Sequence, residues 1–330
     1  MIPAVHDPDG PAGGGRADMT VAVLGPGGVG GLVAGLLAAA GVEVVVVARE
    51  STAQTIAERG LSVRSVMFGD VHARVRACAR LQENEKADVL VVATKAAGLD
   101  AALRRIETEP GLVLPLLNGL DHLAVLRERF DPDTVLAGTI RVESDRPEPG
   151  VIVHTSPFVL IDMATHSQSA LAGMEALAKV LEDAGVPVRM VLPVSERSEA
   201  QVMWSKLVRL NALACTTSAY DKLLGEIRST PELRADLVAS IEEACAVGRA
   251  EGAGDVDPQI ALAELELAHD TLGSSMARDI AAGRPPELDA IPGAILRAAA
   301  RHELRCPTIE RLIVLIAARA GVPAPPVIAG

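Results

Sequence analysis

Lys206 lies in Met203-Trp204-Ser205-Lys206-Leu207-Val208, an otherwise apolar helical stretch. An ammonium among apolar neighbours is desolvated, so either its charge is used or its pKa falls. The competing reading is a surface lysine whose stem snorkels over apolar ground. A buried lysine can stabilise the charge that grows on a carbonyl oxygen as hydride reaches the carbon, and can supply the proton. It would also attract a substrate carboxylate. Glu287, after Arg284-Pro285-Pro286, is a carboxylate able to hold such a lysine and tune its pKa. Ser274-Ser275-Met276 precedes it. Lys95 and Asn118 each follow a strand-like apolar run, where polar loop residues are often functional, although Asn118-Gly119 is also ordinary turn chemistry.

These groups need an element that brings a hydride donor to them, and Thr20–Glu50 supplies one. Val21–Leu24 is an apolar run, Gly25-Pro26-Gly27-Gly28-Val29-Gly30 follows, then a Leu/Ala-rich helical stretch to Ala40 and a β-branched run over Val42–Val47. Strand, Gly-x-Gly-x-x-Gly, helix and strand in this order form a dinucleotide-binding fingerprint. Gly25 is expected to make the tight turn, Gly27 to admit a pyrophosphate, and Gly30 to let helix and strand pack closely. The helix N-terminus offers N–H groups to the phosphates. Arg49 ends the second strand and suits the 2′-phosphate of NADP. Glu50 beside it would suit the ribose of NAD, but it reads as the start of the next helix. The expected cofactor is therefore NADP(H).

The 330 residues leave room for two domains with cores of their own. A net charge of −12 argues against nucleic acid or an anionic membrane as partner. An anionic carbonyl substrate would need a locally positive pocket. Met19–Val42 is uncharged and long enough to span a membrane, but it holds seven glycines and runs into another strand. The first eighteen residues carry the wrong charge for a signal peptide. Four dispersed cysteines read as reduced thiols, and the histidines lack metal spacing. A soluble, cytoplasmic protein without a metal is expected.

Residues 1–18 read as a disordered tail, residues 19–192 as a doubly wound, mainly parallel α/β Rossmann domain, and residues 193–330 as an all-α domain. Short strands are expected at Leu61–Met67 and Val71–Val75, and sheet strands at Asp88–Thr94, Leu112–Leu117, Thr134–Val142 and Val186–Val191. Val151–His154 and Phe158–Asp162 read as an antiparallel extension. Helices are expected at Leu120–Phe130, Ser169–Ala184, Ser198–Leu213, Pro231–Glu251, Pro258–Leu272, Ile291–His302 and Pro307–Ala320, with an extended tail at Pro323–Pro326. Ligands are expected in the cleft between the two domains.

The order of these pieces, with Thr94-Lys95-Ala96, Pro149-Gly150, His154, Trp204-Ser205-Lys206-Leu207, Gly225-Glu226, Asp279-Ile280 and Glu287-Leu288-Asp289, resembles the ketopantoate reductase family from about Met19 to Leu315. The resemblance implies NADPH-dependent reduction of a 2-oxo acid to the 2-hydroxy acid, as in pantothenate biosynthesis. It implies Lys206 as general acid, Glu287 as a cofactor or active-site carboxylate, and Asn118 and Ser275 touching substrate or nicotinamide. The family pattern Lys-x-x-x-Asn-x-x-x-Asn is not kept. Leu210 and Ala214 stand at its partner positions, and Asn211 falls about 140° around the helix from Lys206 unless a bulge returns it to the substrate. A branched apolar 2-oxo acid is therefore expected to outperform ketopantoate. An imine reductase or opine-type dehydrogenase is the rival enzyme, and a non-catalytic NADP sensor the rival from another class. Base rates for soluble enzymes point to a homodimer.

Overall fold

The computed structural model describes residues 19–325. The expected tail at 1–18 and the end of the C-terminal stretch from Pro326 onward lie outside them. In chain order the α/β part comprises β1 (Thr20–Leu24), α1 (Gly28–Ala39), β2 (Glu43–Val47), α2 (Glu50–Arg59), β3 (Leu61–Ser65), β4 (Gly69–Ala73), β5 (Arg76–Cys78), β6 (Val89–Val92), α3 (Leu99–Leu103) and β7 (Leu112–Pro115). Then come α4 (His122–Arg129), β8 (Ala137–Arg141), β9 (Ser144–Glu148), β10 (Val151–His154), β11 (Leu160–Ala164), α5 (Leu171–Asp183) and β12 (Val188–Met190). Among the described residues only helices follow: α6 (Glu196–Tyr220), α7 (Leu224–Ser229), α8 (Pro231–Ala250), α9 (Pro258–Leu267), α10 (Ser275–Ala281), a π-helical turn at Asp289–Gly293, α11 (Ala294–Arg301) and α12 (Pro307–Ala320).

The central sheet is fully parallel, in the order β5-β2-β1-β6-β7. β1, β6 and β7 are buried along their whole length, as strands covered on both faces must be, so they read as unbroken apolar runs. The chain winds outward from β1 to β2 and β5, then returns to β6 beside β1. That reversal makes β1/β6 the switch point at which such sheets bind ligands. A single bridge from Val113 to Val135 continues the layer into β8, and the antiparallel pair β8–β11 and parallel pair β11–β12 complete that edge.

A second sheet, β4-β3-β10-β9, differs from the sequence expectation. Val151–His154 does not extend the main sheet. It lies parallel to β3 and antiparallel to β9, whereas Leu160–Ala164 pairs antiparallel with β8. The alternating pattern of these strands reports one buried face and leaves the partner open. α1 is sandwiched between the two sheets, which explains why it is apolar all round. Gly28, Gly31 and Gly35 form a stripe on the face toward the second sheet. A Cβ at these positions would overlap the Ser144 carbonyl, Ile152 Cδ1 and Val63 Cγ2 respectively.

No helix among the described residues is long and apolar enough to cross a membrane. The charge-free run from Met19 is thus a strand and a sandwiched helix. In the helical part, α6 runs to Tyr220, beyond the expected Leu213, and packs against α8, α12, α9 and α10 as well as β8. Its length exceeds the expectation because Thr216, Thr217 and Ser218 are buried, the two threonines donating back to the Ala212 and Leu213 carbonyls at 2.7 and 2.6 Å.

The glycine stripe yields a stability test. Alanine is the better helix former by about 1 kcal/mol, yet Gly31→Ala is expected to destabilise the fold by roughly 1–3 kcal/mol through overpacking against fully buried Ile152. Adding Ile152→Val, which removes Cδ1, should recover part of the loss. Urea unfolding of the three proteins measures both effects.

Candidate active site

Four neighbouring strands deliver the expected binding residues along one edge of the sheet. Arg49 follows β2, Gly25–Gly30 follows β1, Lys95 follows β6 and Asn118 follows β7. From β2 to β7 is three strand spacings, about 14 Å. Arginine, glycine-rich turn and polar pair thus stand in that order across the edge, and the turn leaves room beside its backbone. Gly25 has φ +91°, and a Cβ there would press on Thr94 Cγ2 at 2.8 Å. A Cβ at Gly27 would meet nothing within 4 Å, and the α1 N-terminus has no side-chain cap, so its N–H groups remain available.

Opposite this edge, α6 presents Lys206, which is 9% exposed. Lys206 Nζ donates to Asn118 Oδ1 at 2.9 Å, and Asn118 Nδ2 donates to Glu287 Oε2 at 3.1 Å. One amide therefore fixes both charged groups, its two ends assigned by what each neighbour can donate or accept. Glu287 acts on the lysine through Asn118, not by the direct contact the sequence suggested. The Lys206 pKa falls from 10.5 to about 8, chiefly through burial and then through Arg209 and Arg141, with Glu287 and Asp162 opposing the fall.

Sequence reading missed this second layer of charge. Arg141, at the end of β8, lies 3.3 Å from Glu264 and 3.7 Å from Asp162, and Arg209 lies 3.1 Å from Glu264. Asp162, 1% exposed, also accepts from Arg189 at 2.8 Å. The available signal was a carboxylate inside the apolar strand Leu-Ile-Asp-Met-Ala. His122 was missed too. It is 4% exposed, and burial, with the Lys206 charge, drives its pKa down to about 3, so the ring is neutral.

The remaining expected residues fall in different places. Pro26 and Val29 lie within the glycine-rich turn, Val29 on the first turn of α1. Arg49 is exposed and caps α2 through its backbone only. Lys95 Nζ donates to Asp279 Oδ2 at 2.7 Å, and Arg284 holds the other oxygen at 2.8 Å, which ties the sheet edge to α10. Ser275 is exposed at the start of α10. Its neighbour Ser274 is the buried one, accepting from Ala277 N at 3.0 Å, with its hydroxyl 2.9 Å from Thr217 Oγ1. Asn211 is not brought to Lys206. α6 runs unbroken without a bulge, so Asn211 keeps its place about 140° away, fully buried, accepting a hydrogen bond from Cys215 Sγ at 3.3 Å. Leu210 shares the Lys206 face one turn on and, half-buried, packs against the helical core in which Ala214 is 1% exposed.

A family model described as ketopantoate reductase PanE/ApbA matches residues 21–165, and the model of its C-terminal part matches residues 200–320. The chain belongs to the ketopantoate reductase family. It is an oxidoreductase of the 2-dehydropantoate 2-reductase type. A 2-dehydropantoate 2-reductase of Mycobacterium tuberculosis is 30% identical over 324 residues, covering 92% of this chain and 98% of that protein. Among solved structures, a PanE/ApbA family ketopantoate reductase from Ralstonia eutropha JMP134 superposes with a TM-score of 0.78 at 26% identity, over 92% and 99% of the two chains. D-mandelate dehydrogenase, solved with NADH and anilino(oxo)acetate, shares the fold with a TM-score of 0.80 at 21% identity, over 92% and 98% of the chains. Ketopantoate reductases thus share this parallel α/β part followed by helices.

The depressed lysine pKa has a cost for the fold. Below about pH 8 Lys206 is protonated in folded and unfolded chains alike, so its desolvation penalty is fully present. Between about 8 and 10.5 the unfolded chain binds more protons, and stability rises with pH. Lys206→Met is therefore expected to stabilise the protein by about 3 kcal/mol at pH 7, less whatever Asn118 Oδ1 loses with its donor. The advantage should shrink as pH approaches 10. Urea unfolding at pH 7 and pH 10 measures the difference.

Proposed function

We propose that this protein uses NADPH to reduce a small 2-oxo acid to the 2-hydroxy acid, with Lys206 as the proton donor. The observation that carries the reading is the Lys206–Asn118–Glu287 chain beside the glycine-rich turn. The cofactor supplies the hydride. Lys206 Nζ would hydrogen-bond the substrate carbonyl oxygen, stabilise its growing charge and transfer a proton to it, leaving a hydroxyl and a neutral amine that solvent reprotonates. A pKa of about 8 keeps the amine protonated at neutral pH yet ready to give up its proton. Asn118 holds the ammonium in place, and Glu287 holds Asn118. The Lys206 ammonium itself supplies the positive charge for a substrate carboxylate, since Arg141 and Arg209 are both paired with Glu264.

Leu210 supports an apolar acyl tail. A substrate hydroxyl buried against it would lose water without replacement, at about 1–3 kcal/mol, while a methylene gains about 0.8 kcal/mol. The test is NADPH oxidation over a panel of 2-oxo acids that includes ketopantoate and branched apolar analogues, the latter expected to show the higher kcat/KM. Turnover should fall as pH rises through about 8. Lys206→Ala should lower kcat roughly 10²–10⁴-fold while leaving NADPH affinity nearly intact. Unchanged kcat in that variant would remove Lys206 from the reaction.

The cofactor choice rests on Arg49. Because D-mandelate dehydrogenase is solved with NADH, the panel is run with both cofactors. NADPH is expected to bind more tightly, and Arg49→Ala should weaken it by about 1.5–3 kcal/mol, the scale of a charge-assisted contact.

A further inference from the structure

Glu50 is the group that opposes NADPH. A free carboxylate just beyond β2 would accept from a ribose 2′-hydroxyl and repel a 2′-phosphate. In this structure it is engaged. Arg105, from the segment after α3, donates through Nη1 to Glu50 Oε1 at 3.1 Å. The same nitrogen lies 3.0 Å from the Ala79 carbonyl and 3.4 Å from that of Ala48. Those carbonyls follow the neighbouring strands β5 and β2. The Arg105 side chain is 21% exposed and that of Glu50 is 75% exposed, so an anchored guanidinium holds a carboxylate that solvent would otherwise leave mobile. Arg80, fixed on the Arg104 carbonyl and Glu107 at 3.2 and 3.0 Å, adds positive charge nearby. The backbone hydrogen bond at the helix start and then Arg105 lower the Glu50 pKa, so the group is an anion that needs this neutralisation.

We propose that Arg105 is a cofactor-specificity residue: it draws Glu50 aside and neutralises it, leaving Arg49 to face a 2′-phosphate. This inference rests on the NADPH reading above. Arg105 acts through Glu50 as a positioning residue, and it also ties two strand ends together. The two roles separate in binding. A clamp on Glu50 alters the ratio of NADPH to NADH affinity, whereas a strand tie alters both affinities alike.

The experiment measures Kd for NADPH and NADH by isothermal titration calorimetry in the full-length protein and four variants. These are Arg105→Ala, Arg105→Gln, Glu50→Gln, and Arg105→Ala with Glu50→Gln. Arg105→Ala is expected to erode the preference for NADPH by roughly fivefold or more, as coupled neighbours do. The double variant should restore most of it, and Glu50→Gln alone should change little. Arg105→Gln keeps a donor for the strand-end carbonyls and removes the charge, so it should shift the ratio in the same direction even if the alanine variant folds poorly. Equal weakening of both cofactors, unrepaired by Glu50→Gln, would overturn the proposal, as would an unchanged ratio in Arg105→Gln. An unmutated protein that prefers NADH would overturn the cofactor reading itself, and with it this inference.

Discussion

A buried ammonium governs the arrangement of this molecule. Removing Lys206 from water costs several kcal/mol unless polar groups replace the water, and the nearest replacement is a side chain from a different part of the fold. Asn118 Oδ1 belongs to the turn after β7, Lys206 to α6, and Glu287 to the segment before the π-helical turn. Three elements more than 80 residues apart in sequence must therefore be in register before the charge is tolerated. Lys95 with Asp279, and Asp121 with Arg297 at 2.5 Å, also join the α/β part to the helical part. The chemistry proposed for this site and the inter-element packing thus draw on the same polar groups.

The parts written in local patterns were legible in the sequence. Fully buried parallel strands announce themselves as apolar runs, and the glycine-rich turn is specific once flanked by strand and helix. The all-helical character beyond β12 followed from periodicity. Other features depend on pairing, which periodicity does not encode. β9 reads Ser-Asp-Arg-Pro-Glu and looks like a loop, but it is a strand because β10 lies beside it. The Arg141–Asp162 pair exists because β8 and β11 are antiparallel neighbours.

Within the candidate site, Lys206, Asn118 and Glu287 could be picked out one by one in the sequence, but which of them touch could not. Lys206 stood out because a cation in an apolar helix needs an explanation. That Asn118 would mediate between Lys206 and Glu287 depended on packing that brings β7 to α6. Ser274 and Ser275 were indistinguishable as letters, and the helix start decides between them: the capping position turns inward and the next outward. Asn211 shows the value of counting along an unbroken helix. Its angular offset from Lys206 decided its surroundings, and its amide Nδ2 has no hydrogen-bond partner in the helical core.

The glycine stripe on α1 also bears on what holds the glycine-rich motif in shape. Four of the twelve residues of α1 are glycines, each about 1 kcal/mol poorer than alanine as a helix former. A segment of that length and composition has little helicity alone, so packing must hold it. Part of that packing comes from Ser144 and Ile152, more than a hundred residues later in the chain. The glycine-rich motif is therefore local in sequence but not autonomous in folding. A fragment ending before β9 and β10 would carry the complete motif but lack the packing against Ser144 and Ile152 that holds α1.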